Sequence, residues 1–294
     1  MSAVAVGHGE SPFALGAARF RENRLAFAAL LVVALFVILA IAAPLVAPHD
    51  PNEADLFRRL QPPGWMEGGE WAFPLGCDGL GRDILSRLIY GARISILVGV
   101  VVIALATIVG VVLGLLAGSV GGLVDRAISG VVDILLGFPY LIFAIGLMAM
   151  MGPGLQNVIL ALVYKEWVTP CRVTRGETLA ARELEYVEAA RALGASRWHV
   201  MLKEILPNIL SPVLVVGTVR MAQVIILEAS LSFLGLGVQP PTASWGSMVA
   251  DGREFLIDAW WVSSLPGVAI LLLVLSINIV SQALRDAFDP RIQS

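Results

Sequence analysis

Residues 185–210 read EYVEAARALGASRWHVMLKEILPNIL, a charged segment with helical periodicity set between two apolar runs. Val187, Ala190, Leu193, Trp198, Met201, Leu202 and Ile205 recur at near-helical spacing, with Glu188, Arg191, Arg197 and Lys203 mostly between them. Gly194 interrupts the pattern and Ser196 stands where it can cap a new helix, so two short helices joined by a turn are expected rather than one rod. Pro207 then opens the next apolar run, where its missing N–H costs little. Two readings compete for this hairpin: a linker lying on lipid headgroups, and a docking element for a partner chain.

The surroundings decide what kind of chain this is. Of 294 residues, 57% are hydrophobic and 15% charged, and the mean hydropathy is +0.83, far from the balance of a soluble domain. The expectation is an all-α, polytopic membrane protein. The net charge of -3 carries little information, because in such a chain the placement of charge outweighs its sum. Two cysteines, Cys77 and Cys171, do not make a disulfide framework.

A ~30 Å hydrocarbon core takes ~20 helical residues. Runs near that length cover Leu25–Val46, Ile94–Gly118, Ile128–Met151, Ile209–Leu234 and Val262–Leu284. A weaker sixth, Leu155–Val168, ends with Lys165 and Glu166, where a lysine can snorkel to the interface. Six spans are expected. The first run is longer than a signal-peptide core and follows a polar N-terminus, so an uncleaved anchor is favoured over a cleaved leader.

Positive charge orients the chain. With the N-terminus inside, the inner segments hold Arg19, Arg21, Arg24, Arg126, Arg172, Arg175, Arg182, Arg191, Arg197, Lys203, Arg285 and Arg291, against Arg58, Arg59, Arg82, Arg87, Arg93 and Arg253 outside. That bias puts both termini and residues 185–210 in the cytoplasm. The organisation expected is a cytoplasmic N-terminus (1–24), a first span (25–47), an extracytoplasmic loop with an amphipathic helix (48–92), a five-helix core (93–284) with a cytoplasmic loop at 171–207, and a cytoplasmic C-terminus (285–294).

Specific residues now carry a resemblance. Glu188, Ala189 and Ala190, then Gly194, then Leu206 and Pro207 thirteen residues beyond the glycine, resemble the EAA loop of permease subunits in binding-protein-dependent ABC importers. PLGCDGLGRDILSRLIYGARISILVG (74–99), GGLVDR (121–126), LGLGVQPPTASWGSMVADG (234–252) and ALRDAFDPR near the C-terminus are similar to the C-type permeases of dipeptide and oligopeptide systems. The likeness runs from about residue 20 to residue 291. It departs at Glu204, where isoleucine is general, and at Cys77, where threonine is common. The resemblance implies the type I ABC importer permease fold and a heterodimer with a second permease. It further implies two cytoplasmic ATPase subunits, which bind the ATP and Mg, and an extracytoplasmic solute-binding protein. Ser196 joins Glu188–Ala190, Gly194, Leu206 and Pro207 as the residues coupled to the ATPase. The setting is a bacterial or archaeal cytoplasmic membrane, with lipid around the chain.

Two further groups of residues are candidates. Ile84, Leu85, Leu88 and Ile89 oppose Arg82, Asp83 and Arg87 on a helix expected in the outer interface. It serves either to anchor the second span or to face the substrate side. Pro240 and Pro241 disallow a continuous helix, and Trp245 suits the headgroup region; that loop either receives the binding protein or merely turns the chain. Within the membrane, Asp133, Arg220 and Glu228 line a pathway or pair with neighbouring groups. Gly110, Gly114 and Gly118, at four-residue spacing, form a close helix-packing surface.

Several activities lack their residues. Neither lysine, Lys165 or Lys203, follows a glycine, so the chain has no Walker phosphate loop of its own. His8, His49 and His199 are scattered and make no metal set, no nucleophile elbow occurs, and no basic, aromatic-interleaved surface suggests nucleic acid. The competing class is a secondary transporter using Asp133 and Glu228 as ion relays, which calls for an inverted repeat that the halves do not show.

Overall fold

The computed structural model describes residues 23–288; expectations for the N-terminal segment with Arg19 and Arg21, and for the tail with Arg291, lie outside the described residues. Helix α1 (Arg24–Val46) begins at Asn23, whose side chain accepts from the Ala26 N–H at 3.1 Å. It turns Ala26, Ala29, Ala40 and Ala43 inward and leaves Leu31, Leu35, Ile38, Ile41 and Leu45 exposed. Small side chains let helices approach closely, while the large apolar ones are suited to lipid.

An irregular segment follows, and then α2 (Ile84–Val120), a single helix of 37 residues and ~55 Å at 1.5 Å per residue. The amphipathic stretch and the second span are therefore one rod, and the expected boundary at 92/93 falls inside it. Asp83 caps its start, accepting from the N–H groups of Leu85 and Ser86. The glycines at 110, 114 and 118 form the surface expected of them. A Cβ on Gly110 would lie 2.7 Å from the Trp167 carbonyl oxygen, one on Gly114 2.4 Å from that of Cys171, and one on Gly118 2.7 Å from the Thr178 Cβ. They let α2 press against α6 (Val168–Ala181), the most intimate helix pair of the fold.

The run expected as one span over 128–151 is two helices, α3 (Gly122–Gly137) and α4 (Tyr140–Met151), bent by 96°. Pro139 is the cause. It has no N–H to give, and its ring pushes Phe138 out of helical space, to φ -90 and ψ 132. The Phe138 carbonyl left over is taken by the Lys165 ammonium, which also sits 5.2 Å from the Tyr140 ring and 5.8 Å from the Phe143 ring. Lys165 thus caps a broken helix and does not snorkel outward.

Helix α5 (Leu155–Glu166) has 12 residues, ~18 Å, and continues through Trp167 into α6. After the hairpin come α8 (Leu206–Phe233), α9 (Trp245–Gly252) and α10 (Trp261–Phe288). Among the described residues four helices, or five if the bent pair is counted as one span, are long and apolar enough to cross a membrane, against the six spans expected. One apolar cluster joins α1, α2, α8, α9 and α10 around Trp245, Trp261, Ile84 and Ile225. A second joins α2, α4, α5 and α8 around Val98, Met148, Leu162 and Leu231.

Candidate functional site

The hairpin is built from α7 (Glu185–Ala192) and a short turn, Arg197–His199, that runs through a π-helical segment, Val200–Ile205, into α8. Its bend is a Schellman motif. The Gly194 N–H donates to the Arg191 carbonyl at 2.9 Å and the Ala195 N–H to that of Ala190 at 3.1 Å, with Gly194 at φ +86. Ser196 caps the next turn by accepting from the His199 N–H at 3.3 Å. The continuous backbone from Arg197 to Phe233 means that Pro207 lies inside a helix. Its missing donor falls just after the π segment, where the hydrogen-bond register changes.

The apolar stripe read from the sequence divides in two. Val187, Met201 and Ile205 turn inward with Val200 and pack on Leu115 of α2, Ala181 of α6 and Ile209 of α8, with Ala190, Ala195 and Leu206 at the margin. Leu193, Trp198 and Leu202 point out, with Leu193 89% and Trp198 61% exposed. Glu188, Ala189, Arg191, Gly194, Ser196, Arg197 and Pro207 are exposed around them. A turn braced from within and apolar at its tip is a surface made to be covered. One signal in the sequence marks this outer face, a tryptophan and two leucines beside a tight turn, and periodicity alone does not separate it from the inner one.

Polar ties hold the hairpin's base. Arg175 of α6 grips Asp125 of α3 at two points, Nε–Oδ1 2.5 Å and Nη2–Oδ2 2.8 Å. Arg182 Nη1 donates to the Gly118 carbonyl at 2.7 Å, the last turn of α2.

The intramembrane candidates have different surroundings. Asp133 is exposed on α3. Arg220 pairs with Glu166 at the end of α5. Glu228 is fully buried and accepts from Ser95 Oγ at 3.3 Å and Ser232 Oγ at 2.8 Å. Among the described residues no hydrogen bond connects Asp133 with Glu228.

At the opposite end of α2, the candidates for an external face need correction. Arg82, Asp83 and Arg87 are buried under the 47–83 segment. Arg82 Nε lies 2.7 Å from Asp78 Oδ2 and Nη2 3.5 Å from Asp251 of α9, while Arg87 donates to the Pro51 carbonyl at 2.9 Å. Asp83 accepts from Ser86 Oγ and faces His49 at 3.4 Å. Partial burial raises the Asp251 carboxyl from its ordinary value, with Arg82 and Arg87 pulling it down, and its side chain stays 55% exposed. Trp245 is not at a headgroup surface either: it is 0% exposed, donates to the Leu88 carbonyl at 2.9 Å and fills the space left by Gly91. These charges and this ring hold the loop onto the bundle. Pro240 and Pro241, joined by a cis peptide bond, remain exposed, beside a cleft of about 760 Å³ between the 47–83 loop and α9.

Comparison with known proteins agrees with this architecture. Residues 110–294 match the family described as binding-protein-dependent transport system inner membrane component, and residues 11–63 match the N-terminal TM domain of oligopeptide transport permease C. The di/tripeptide transport system permease protein DppC of Pseudomonas aeruginosa is 43% identical over 94% of this chain and 91% of its own. The dipeptide transport system permease protein DppC of Escherichia coli K12 is 46% identical over 93% and 91%. Among solved structures, the inward-facing MetNI methionine ABC transporter aligns with TM-score 0.57 at 19% identity, over 69% of this chain and 97% of that one, and so shares the fold. The chain belongs to the family of inner membrane components of binding-protein-dependent transport systems.

Proposed function

We propose that this chain is one of two homologous permeases in an ATP-driven importer of di- and oligopeptides in a bacterial cytoplasmic membrane. The observation that carries the coupling role is the hairpin: its inner face is packed on α2, α6 and α8, and its outer face presents Leu193, Trp198 and Leu202 beside Glu188. An ATPase subunit supplies the groove that covers this knob, and ATP and Mg belong to that subunit. When the ATPases close, they push a rigid bend, and the push passes through Leu115 and Ile209 into α2 and α8. Two states of the pathway are thereby stabilised in turn, with nucleotide setting the balance through its partner. Peptides as cargo rest on the names of the relatives, and selectivity is assigned to a solute-binding protein received near Pro240 and Pro241.

The membrane topology proposed has six crossings and both termini in the cytoplasm, with α5 and α6 forming the fourth crossing and the bent α3–α4 pair the third. Positive charge on Arg175, Arg182, Arg191 and Arg197 supports the hairpin on the inner side.

Glu188→Ala tests the coupling. A solvated charge is worth a few tenths of a kcal/mol, whereas a charged hydrogen bond buried at a subunit interface costs about 2–5 kcal/mol to truncate. The expected result is normal insertion with reduced recovery of the ATPase subunits or of their substrate-stimulated hydrolysis, measured in nanodiscs. Unchanged recovery and unchanged stimulation return the hairpin to a linker, and uptake by this chain alone under an ion gradient overturns the whole reading.

A further inference from the structure

Between the hairpin and the bundle lies a cavity of about 310 Å³, lined by Ser119, Arg182, Arg191, Ala195, Arg197 and the apolar Val200, Met201 and Ile205. Three arginines from three places meet there: Arg182 at the end of α6, Arg191 in the last turn of α7, and Arg197 in the first turn beyond Gly194. Among the described residues no carboxylate lies within ion-pair distance of any of them, although Asp78, Asp125 and Glu166 each hold an arginine elsewhere. Two donors at the cavity are buried without a partner, the Ser119 hydroxyl and Arg182 Nε. Buried donors without acceptors are costly and rare, and guanidinium forks suit an anion with several oxygens in a tetrahedral array.

We propose that this cavity is a binding site for a phosphate-bearing anion that ties the hairpin to the ends of α2 and α6. A monoester or diester phosphate supplies acceptors for Ser119 Oγ and Arg182 Nε while meeting Arg191 and Arg197 from the hairpin side. Arg182 stays anchored meanwhile through Nη1 on the Gly118 carbonyl. The apolar floor of Val200, Met201 and Ile205 accommodates the glycerol and first methylenes of a lipid; free phosphate needs only the arginine rim. Either source brings the same chemistry. Occupancy braces the bend at the point where Glu188 and Leu193 are presented, so the site regulates how stiffly the hairpin transmits motion. Arg191 and Arg197 reach this cavity from the exposed side of the hairpin, so the site is told apart from the ATPase contact by its inner lining, Ser119, Arg182 and Val200.

The test uses the intact transporter complex in nanodiscs of phosphatidylcholine alone or with phosphatidylglycerol. Retained lipid is counted by native mass spectrometry, and inorganic phosphate is titrated in the zwitterionic discs while amide exchange of residues 182–200 is followed. Retention of phosphatidylglycerol identifies a lipid source, and slowed exchange with phosphate alone identifies the free anion; either supports the site. Arg191→Gln with Arg197→Gln should lower retention or apparent affinity by on the order of tenfold or more, since each charge-assisted bond contributes at that scale. Ser119→Val, which keeps every charge and fills the cavity, should do the same if the pocket itself binds. No retention and no protection in the wild-type complex overturns the proposal, as does retention unchanged in both variants.

Discussion

Arg220 of α8 and Glu166 of α5 form a two-point ion pair, Nε on Oε1 and Nη2 3.0 Å from Oε2, with the glutamate side chain 1% exposed. Nearby, Tyr140 donates to the Leu162 carbonyl at 3.0 Å, and Lys165 caps Phe138. The pair therefore fixes α5 to α8 beside the break between α3 and α4. Removing one partner leaves a buried charge uncompensated, at about 3–5 kcal/mol, whereas replacing both by apolar groups is far less costly. Glu166→Leu or Arg220→Met alone should lower thermal stability and membrane yield strongly, and the double variant should recover most of both. A double variant no better than the worse single one removes the coupling from this account.

The glycine ladder makes a steric prediction. Gly114→Val would put a Cβ 2.4 Å from a backbone oxygen of α6, which has no rotamer to yield. Overpacking of this kind costs about 1–3 kcal/mol or more. Gly176→Ala is the control, because a Cβ there meets nothing within 4 Å, and alanine favours a helix by about 0.5–1 kcal/mol. Unfolding in detergent should show a large loss for the first and none for the second; equal behaviour would mean that α2 and α6 do not pack as described.

How much of this was legible differed with the range of the cause. Gly110, Gly114 and Gly118 declare a packing face by spacing alone, and the Gly194 turn with its Ser196 cap is local chemistry. The break at Phe138–Pro139 was written in the sequence too, but a long apolar average hid a single missing N–H. For Arg82, Asp83, Arg87 and Trp245, hydropathy marks a polar face without showing what folds over it: Arg82 has Asp78 four residues away, but Asp251, Pro51 and Leu88, which meet Arg82, Arg87 and Trp245, lie on other elements. Glu166 shows in the sequence only as a charge at the end of a weak span, since its partner Arg220 is 54 residues away.

Cys77 offers a chemical check. The sequence placed it where an external thiol reagent should reach it if exposed, yet it is 0% exposed. Burial first, then the carboxylates of Asp83 and Asp78, push its thiol up from 9.0 to about 12. Both effects suppress the reactive thiolate. Labelling by an impermeant maleimide in intact cells should be negligible at neutral pH and appear only with loss of the 47–83 fold. The sign for stability follows: the raised value favours the folded state below pH ~9, and that contribution is lost as pH rises towards 12. Rapid labelling at neutral pH in native membranes would show that the loop does not cover Cys77.

The last prediction concerns Gly194, where conformation and space give different answers. A Cβ at this position meets nothing within 4 Å, but φ is +86, so any penalty is one of backbone shape, about 1–2 kcal/mol for an ordinary L-residue. Valine should incur that penalty in full and loosen the Schellman hydrogen bonds from Gly194 to Arg191 and from Ala195 to Ala190. Asparagine tolerates the left-handed region and should restore most of what valine loses. Because the helices below are held by Val187, Met201 and Ile205, Gly194→Val should insert and assemble while substrate-stimulated ATP hydrolysis and uptake come apart. If bulk at the tip were the problem, asparagine and valine would fail alike, and if the bend had no part in coupling, both would transport normally. The order glycine, asparagine, valine in coupled uptake, at matched expression, is the outcome that assigns the effect to the turn's φ angle.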